Sequence, residues 1–238
     1  MKQQFSNYYE KDGEKYDRIS SISSHIDDSG GLIQWAAKCG FEAYANGQDS
    51  GYHATQKVKE ETANIGSSFH HVVSHFLKND LDESKLAKQI KTIFDPFKEW
   101  LSTIDLQPIL IEENVFSRRY KCAGTLDLYA NVDGAPTLID WKTGSDFYIS
   151  HLLQLAGYDL CLDKLVKQYI IGNFSREGKK QILVINDPKV ILELKGIFVE
   201  TLANFKQKKN LREIMKELKK TMRKKEKLCQ SQNLQSKK

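Results

Sequence analysis

Residues 121–142 read KCAGTLDLYANVDGAPTLIDWK, and this stretch decides the fold. Residues 121–132 and 137–141 are rich in apolar, β-branched and aromatic side chains, so each run predicts a strand. Asp133-Gly134 between the two runs is a strong short-range signal for a hairpin turn. The stretch therefore predicts two neighbouring antiparallel strands joined by a tight turn.

The predicted hairpin carries two carboxylates and one amine. Side chains alternate across a strand, so Asp140 and Lys142 point to one face while Trp141 points to the other. Strand pairing lets Asp127 converge with Asp140. Two aspartates left together repel each other, and a hard divalent cation such as Mg²⁺ relieves that repulsion. Such a cation suits phosphodiester hydrolysis, in which Lys142 would position a water molecule or stabilise charge in the transition state.

Outward from the hairpin, helical and strand periodicities alternate. The expected elements are a turn and short helix over 20–35, helices over 62–77 and 83–101 (the second broken or kinked near Pro96), a strand over 108–116, a helix over 147–162, strands over 166–174 and 181–185, and helices from Pro188 onward. This order predicts an α/β fold with a mixed central sheet flanked by helices.

Several short motifs follow one another along the chain. They are Ser20-Ser-Ile-Ser-Ser24 with Leu32-x-x-Trp35, Gly66-Ser-Ser-Phe-His70, Gly124-Thr-Leu-Asp127, Asp140-Trp-Lys142-Thr143 and Gln154-x-x-x-Tyr158. In this order they resemble the PD-(D/E)XK nuclease superfamily, and more narrowly its RecB-like branch, which includes phage exonucleases and the mitochondrial genome maintenance exonuclease. The resemblance covers about residues 20–175.

The resemblance implies a restriction-endonuclease-like core and a site for Mg²⁺ or Mn²⁺. It implies that the metal ligands are the side chains of His70, Asp127 and Asp140 together with the backbone carbonyl of Trp141. Lys142 would be the catalytic lysine. The alternative for the two aspartates is that they merely end strands beside a turn, and the alternative for the histidine is a packed or solvent-facing imidazole.

Three further positions belong to the same comparison. Gln154 and Tyr158 are four residues apart and share one helix face, so the resemblance implies that they line the active site and place Lys142 or the DNA. Alternatively, both pack on the sheet. Glu112 matches an acidic position whose role varies in the family, and the neighbouring Glu113, on the opposite face, is the alternative assignment.

Other potential metal-binding residues give weaker signals. His71 and His75 are four residues apart, but no third ligand is evident in the sequence, so we expect them to be surface or core residues. The cysteines are far apart and form no CxxC motif, which argues against a zinc ribbon and against an iron–sulfur cluster. We expect reduced thiols at Cys39, Cys122, Cys161 and Cys229.

Length and composition bound the class of protein. The chain has 238 residues, of which 40% are hydrophobic, and this excludes a mostly disordered polymer. No run approaches the roughly 18 consecutive apolar residues of a membrane span. Acidic residues among the first twenty argue against a signal or transit peptide. We therefore expect a cytoplasmic protein of a bacterial or phage-infected host cell that is not secreted and has no membrane partner.

Charge is distributed unevenly along the chain. Residues 206–238 contain 11 Lys and 2 Arg against 3 Glu, a net charge of +10, so the other residues carry −5. The sequence thus predicts a polar lead at 1–19, a nuclease domain at 20–205 and a basic amphipathic helix and tail at 206–238. A solvated charged helix, a protein-binding helix and a helix on a membrane surface are alternatives to DNA binding by this arm, and the lack of bulky interfacial aromatics argues against the membrane surface. The candidate DNA-binding residues are Lys208, Lys209, Arg212, Lys216, Lys219, Lys220 and Arg223.

The motifs favour a metal-dependent DNA exonuclease that acts on single-stranded or frayed ends, a preference implied by the resemblance. One alternative keeps the chemistry but makes the enzyme a structure-specific endonuclease. Another is a non-catalytic nucleic-acid-binding module that has kept the fold. Cleavage of linear but not closed circular DNA would distinguish the exonuclease from both.

Overall fold

The computed structural model describes residues 8–27, 29–47 and 52–235. Side chains at 29–33, 35, 52–54 and 226–235 are outside this description. The side chains of the predicted Leu32-x-x-Trp35 motif, the side chain of Cys229 and the chain ends at 1–7 and 236–238 therefore lie outside the described residues.

A seven-stranded mixed sheet forms the centre of the fold. Along one path its order is β1-β2-β4-β5-β6-β7, while β3 pairs with β4. The β2–β4 and β5–β6 pairs are parallel, and the other neighbouring pairs are antiparallel. The strands are β1 (Tyr8–Lys11), β2 (Glu14–Arg18), β3 (Leu106–Ser117), β4 (Cys122–Val132), β5 (Ala135–Lys142), β6 (Gln168–Phe174) and β7 (Lys180–Ile185).

Helices cover both faces of the sheet and create two hydrophobic cores. Buried side chains of α1, α5 and α6 form one core with the sheet, and those of α3 and α4 form the other. This arrangement confirms the predicted α/β class with a mixed central sheet flanked by helices. The helices are α1 (Ile19–Ser23), α2 (Ser29–Ala45), α3 (Tyr52–Leu77), α4 (Lys88–Leu101), α5 (Ile149–Asp159) and α6 (Pro188–Gln235).

The predicted hairpin is present between β4 and β5. Its antiparallel register runs from Leu128↔Ile139 to Val132↔Ala135. Asp133 and Gly134 both have positive φ, 50° and 80°. Such a turn matches the right-handed twist of the strands it joins, which explains why the Asp-Gly signal located it correctly.

The polar lead contains an unexpected second hairpin. β1 and β2 pair antiparallel, and β2 joins the sheet beside the start of β4. Asp12 and Gly13 at its turn again have positive φ. Hydrophobic periodicity did not reveal these strands because they are mostly polar, although Tyr16 is buried. Part of the lead at 1–19 is therefore built into the sheet.

Helix boundaries also differ from the expectation. α2 was not predicted as a separate helix, and α3 begins ten residues before the expected Thr62. The expected 83–101 helix is divided into a 3-10 turn at Glu83–Lys85 and α4, which contains Pro96 without ending there. α6 is one helix of 48 residues that continues across position 205. None of the described helices has the length and apolarity needed to cross a membrane.

Candidate metal centre

An opening between β4 and β5 positions the candidate site. Their pairing ends at Leu128↔Ile139, while β2 pairs with β4 only at Cys122 and Ala123. Within the described chain no strand pairs with this edge of β4 between those two contacts. Gly124 lines the opening, where a Cβ would lie 2.6 Å from the Tyr158 ring, so a larger residue would displace that ring.

Three potential metal ligands meet at this opening. His70 Nδ1 lies 3.2 Å from Asp127 Oδ1 and 3.6 Å from Glu112 Oε1. One ligand atom from each residue lies within 4.8 Å of the other two. α3 supplies the histidine, because its neighbour Phe69 is buried in the core and anchors this turn of the helix. β3 and β4 supply the acids. We call these three residues the metal cluster.

Opposite charges stabilise the ionised forms of this cluster. Burial alone would lower the pKa of His70, but the carboxylates of Asp127 and Glu112 outweigh it and raise that pKa to about 10. Burial alone would raise the pKa of Asp127, but the charge of His70, the charge of Lys142 and the Trp141 N–H lower it. The cluster is therefore strongly polar even though the Asp127 side chain is only 8% exposed.

The second predicted acid has a different partner. Asp140 Oδ2 forms an ion pair of 2.6 Å with Lys142 Nζ, and the Asp140 side chain is fully buried. Apart from this ion pair, neither carboxylate oxygen has a hydrogen-bond donor among the described residues. Burial raises the pKa of Asp140 to about 6, against the opposing charge of Lys142 and with a contribution from Asp127. Asp140 is thus a buried acid with unused acceptor capacity.

Lys142 is held at the junction of the two acidic groups. Burial would lower its pKa, but the charges of Asp140 and Asp127 raise it, so the ammonium form is favoured. Lys142 Nζ also donates to Gln154 Oε1 at 3.3 Å, and Gln154 Nε2 donates to Tyr158 Oη at 2.7 Å. The structure therefore brings together Asp140, Lys142, Gln154 and Tyr158 in one chain of polar contacts.

Trp141 connects the two halves of the site. Its N–H donates to Asp127 Oδ2 at 2.7 Å, which places that carboxylate against the Asp140–Lys142 segment. Its ring faces the opposite way and packs edge-on against Phe97 in the α3–α4 core. The role predicted for its carbonyl as a metal ligand stays a prediction.

The acids that lie within 4.8 Å of His70 differ from the pair that the resemblance implies as metal ligands, Asp127 and Asp140. Among the described residues, the set within 4.8 Å contains Glu112 and lacks Asp140. Glu112 lies beside Asp127 because the β3–β4 register pairs the residues on either side of them, whereas Glu113 pairs with Leu126 and is exposed. Glu112 also has a positive φ of 51°. Sequence reasoning noted its acidity but had no signal for that backbone distortion.

The remaining predicted residues lie outside the metal cluster. The rings of His71 and His75 meet edge to face, with centroids 4.3 Å apart and planes at 67°, and His75 Nδ1 lies 2.8 Å from Asp80 Oδ1. On α6, Lys209 pairs with Asp17, while Lys216 and Lys220 pair with Glu residues of the same helix. All seven candidate DNA-binding residues, Lys208, Lys209, Arg212, Lys216, Lys219, Lys220 and Arg223, are exposed.

Comparisons with known proteins give structural likenesses only. No protein-family model matches the chain, and no curated protein sequence matches it. The alkaline exonuclease LHK-Exo from Laribacter hongkongensis is similar with a TM-score of 0.42 and 9% identity, over 85% of this chain and 94% of that chain.

The same exonuclease in complex with dAMP gives a TM-score of 0.40 with 9% identity, over 85% of this chain and 94% of that chain. SSO0001 gives a TM-score of 0.36 with 14% identity, over 81% of this chain and 78% of that chain. With identities and scores this low, these likenesses assign no family to the chain.

Proposed function

We propose that this protein is a divalent-metal-dependent DNA exonuclease with a PD-(D/E)XK core of the RecB-like type. The observation that carries the proposal is the position of Lys142, whose ammonium group lies 2.6 Å from Asp140 beside the metal cluster. The ordered motifs that gave the resemblance supply every one of these side chains except Glu112.

The residues present fit a hard divalent cation. His70, Glu112 and Asp127 offer one imidazole nitrogen and carboxylate oxygens within a small volume. Apart from its ion pair with Lys142, the buried carboxylate of Asp140 has no hydrogen-bond donor among the described residues, which leaves it acceptor capacity for a metal ion. These four side chains would hold Mg²⁺ or Mn²⁺. When bound, such an ion supplies Lewis-acid chemistry that polarises a phosphodiester.

The chain's own residues then orient the reaction. Lys142 provides a fixed positive charge that stabilises the extra negative charge of the phosphoryl transition state. Gln154 accepts a hydrogen bond from Lys142, and Tyr158 accepts one from Gln154, so α5 restricts the position of the ammonium group. Asp127, fixed by the Trp141 N–H, keeps its carboxylate aligned with the same strand end. Positioning of this kind is a large part of catalysis.

The substrate preference rests on the resemblance. Phage exonucleases of the RecB-like branch act on DNA ends, and we therefore propose single-stranded or frayed DNA ends as the substrate. The exposed basic surface of α6 supports an anionic polymer as the partner.

An end-labelled DNA assay tests this function. Linear single-stranded, linear double-stranded and closed circular single-stranded DNA are incubated with Mg²⁺, Mn²⁺ or EDTA. We expect degradation of linear single strands that requires a metal, with 5′ and 3′ labels reporting the direction. Cutting of closed circles would instead support the endonuclease. Binding without any metal-dependent cutting would leave the nucleic-acid-binding module.

A matched pair of variants assigns the activity to this site. Asp127→Asn removes the charge of an acid in the metal cluster, whereas Asp163→Asn makes the same change at an exposed position between α5 and β6. Cleavage should be lost only in the first variant. Equal activity in both would remove the metal cluster from the mechanism.

A further inference from the structure

A groove along one flank of α3 opens directly at the metal cluster. It has a volume of about 610 Å³. His70 and Glu112 form part of its wall, which continues past His71 and His75 to Lys78 near the end of the helix. The groove is therefore continuous with the candidate site and is not a separate cavity.

We infer that this groove binds the stretch of DNA strand adjacent to the phosphodiester at the metal cluster. The inference rests on the proposed function, and it names where the substrate runs. Lys78 directly follows the end of α3, eight positions after His70, which corresponds to about 12 Å at the helical rise per residue. Stacked DNA advances roughly 3.4 Å per nucleotide along one strand, so the groove is long enough for about three nucleotides.

The charges in the groove favour a polyanion. Its wall carries one carboxylate, Glu112, which lies 3.6 Å from His70 Nδ1. Nearby Asp80 is paired with His75 at 2.8 Å. Lys78 is exposed and has no carboxylate partner among the described side chains. Both acids are thus paired while the cation stays available for a phosphate.

The hydroxyl and imidazole groups of the groove suit nucleotides. Ser67 and Ser74 contribute hydroxyls to the same wall. The imidazoles of His71 and His75 lie 4.3 Å apart, with the side chain of His75 38% exposed. Imidazole rings stack on unpaired bases, and such stacking tolerates any sequence. The combination of a cation at one end and accessible rings beside it is the chemistry of a single-strand track.

Binding is measured apart from cleavage. Fluorescence anisotropy of a labelled 12-nucleotide single strand in EDTA gives Kd over a series of salt concentrations. Lys78→Gln should reduce the slope of log K against log[salt] by about 0.7, because one phosphate contact is lost. The matched control Lys164→Gln, at an exposed site between α5 and β6, should leave the slope unchanged.

A second variant tests the stacking surface. His71→Ala should weaken binding of the same strand by about fivefold or more, the lower end of aromatic–base stacking. Thermal melting of each variant checks that the fold is kept. If His71→Ala does not fold, Lys78→Gln alone decides, since its side chain is exposed.

The outcomes separate this inference from the proposed function. An unchanged salt slope in Lys78→Gln together with an unchanged affinity in His71→Ala would overturn the proposal that DNA binds in this groove, even if the wild-type protein cleaves DNA. A salt slope that falls in Lys78→Gln but not in Lys164→Gln would support DNA binding in the groove. If the wild-type protein then cleaves no DNA, the nuclease proposal alone fails.

Discussion

The cleft around Lys142 and the distal part of α6 both carry positive charge, but they hold it in opposite ways. Lys142 has a side chain that is 19% exposed and an ion pair of 2.6 Å with a fully buried acid. On α6, Lys216 and Lys220 are 71% and 63% exposed, and their pairs with Glu213 and Glu217 are 3.4 and 3.6 Å long.

This difference in exposure and pairing indicates two different electrostatic roles. A buried charge fixed by several partners acts at one geometry and is little affected by salt. Exposed lysines with short-range helical pairs are solvated, contribute little to stability and attract any polyanion. We therefore expect the cleft to determine chemistry and the helix to influence affinity.

The largest effect is expected in the cleft. Lys142→Ala should reduce cleavage of labelled DNA by roughly 10³-fold, because a preorganised charge that stabilises the transition state is removed. Affinity for DNA in EDTA should stay close to that of the wild type, since the lysine acts mainly in the transition state. The control is Lys164→Ala, which removes an exposed amine elsewhere. Normal turnover in Lys142→Ala would exclude this lysine from catalysis.

Truncation of the helix should alter binding and leave the fold intact. Lys206 donates to the Tyr120 carbonyl and Lys209 pairs with Asp17, so the cut is placed after Asn210 to keep both contacts. Deletion of 211–238 should weaken binding at low salt and flatten its salt dependence by about 0.7 per lost phosphate contact. A slope identical to that of the full chain would return this helix to a structural or protein-binding role.

The charge of Lys142 in the cleft should also make the stability of the fold depend on pH. Burial and the charge of Lys142 lower the pKa of His151 to about 3, against an ordinary value near 6.5. Between about pH 3 and pH 6.5 the imidazole therefore binds a proton in the unfolded chain but not in the folded chain. The free energy of unfolding consequently decreases as pH falls below about 6.5. Melting temperatures from pH 7 to pH 4 should fall less in His151→Asn than in the wild type. An equal fall in both proteins would contradict this.

The smallest effect is expected on α6. Lys220→Ala breaks the exposed pair with Glu217, and the free energy of unfolding should change by no more than about 0.5 kcal/mol. Chemical denaturation measures this change, with Lys208→Ala as the comparison on the same helix. A loss of several kcal/mol would mean that the distal helix is packed against something.

Local signals located the central part of the fold. Asp133-Gly134 identified the hairpin, and strand alternation placed Asp140 with Lys142 on one face, as their ion pair confirms. The spacing of Gln154 and Tyr158 predicted a shared helix face, which their hydrogen bond confirms. These features depend only on neighbouring residues, so the sequence contains them directly.

Long-range geometry was the part that the sequence did not reveal. β2 pairs with β4 through two residues only, more than a hundred positions away in the chain. The approach of Glu112 to His70 depends on a positive φ at a residue that is not glycine. The metal cluster also requires α3 to place His70 against Glu112 and Asp127 of β3 and β4. Each of these depends on tertiary packing and has no periodic pattern in the sequence.

The length of α6 limits what its lysines can do. A continuous helix of 48 residues is about 72 Å long. At physiological salt, counter-ions screen the field of an exposed charge over about 8 Å. That distance is much shorter than the exposed half of α6. Each lysine of the exposed half therefore attracts only phosphates that come within about that distance of it. A polymer bound along the helix would be held at several separate points, and the helix would act as a tether.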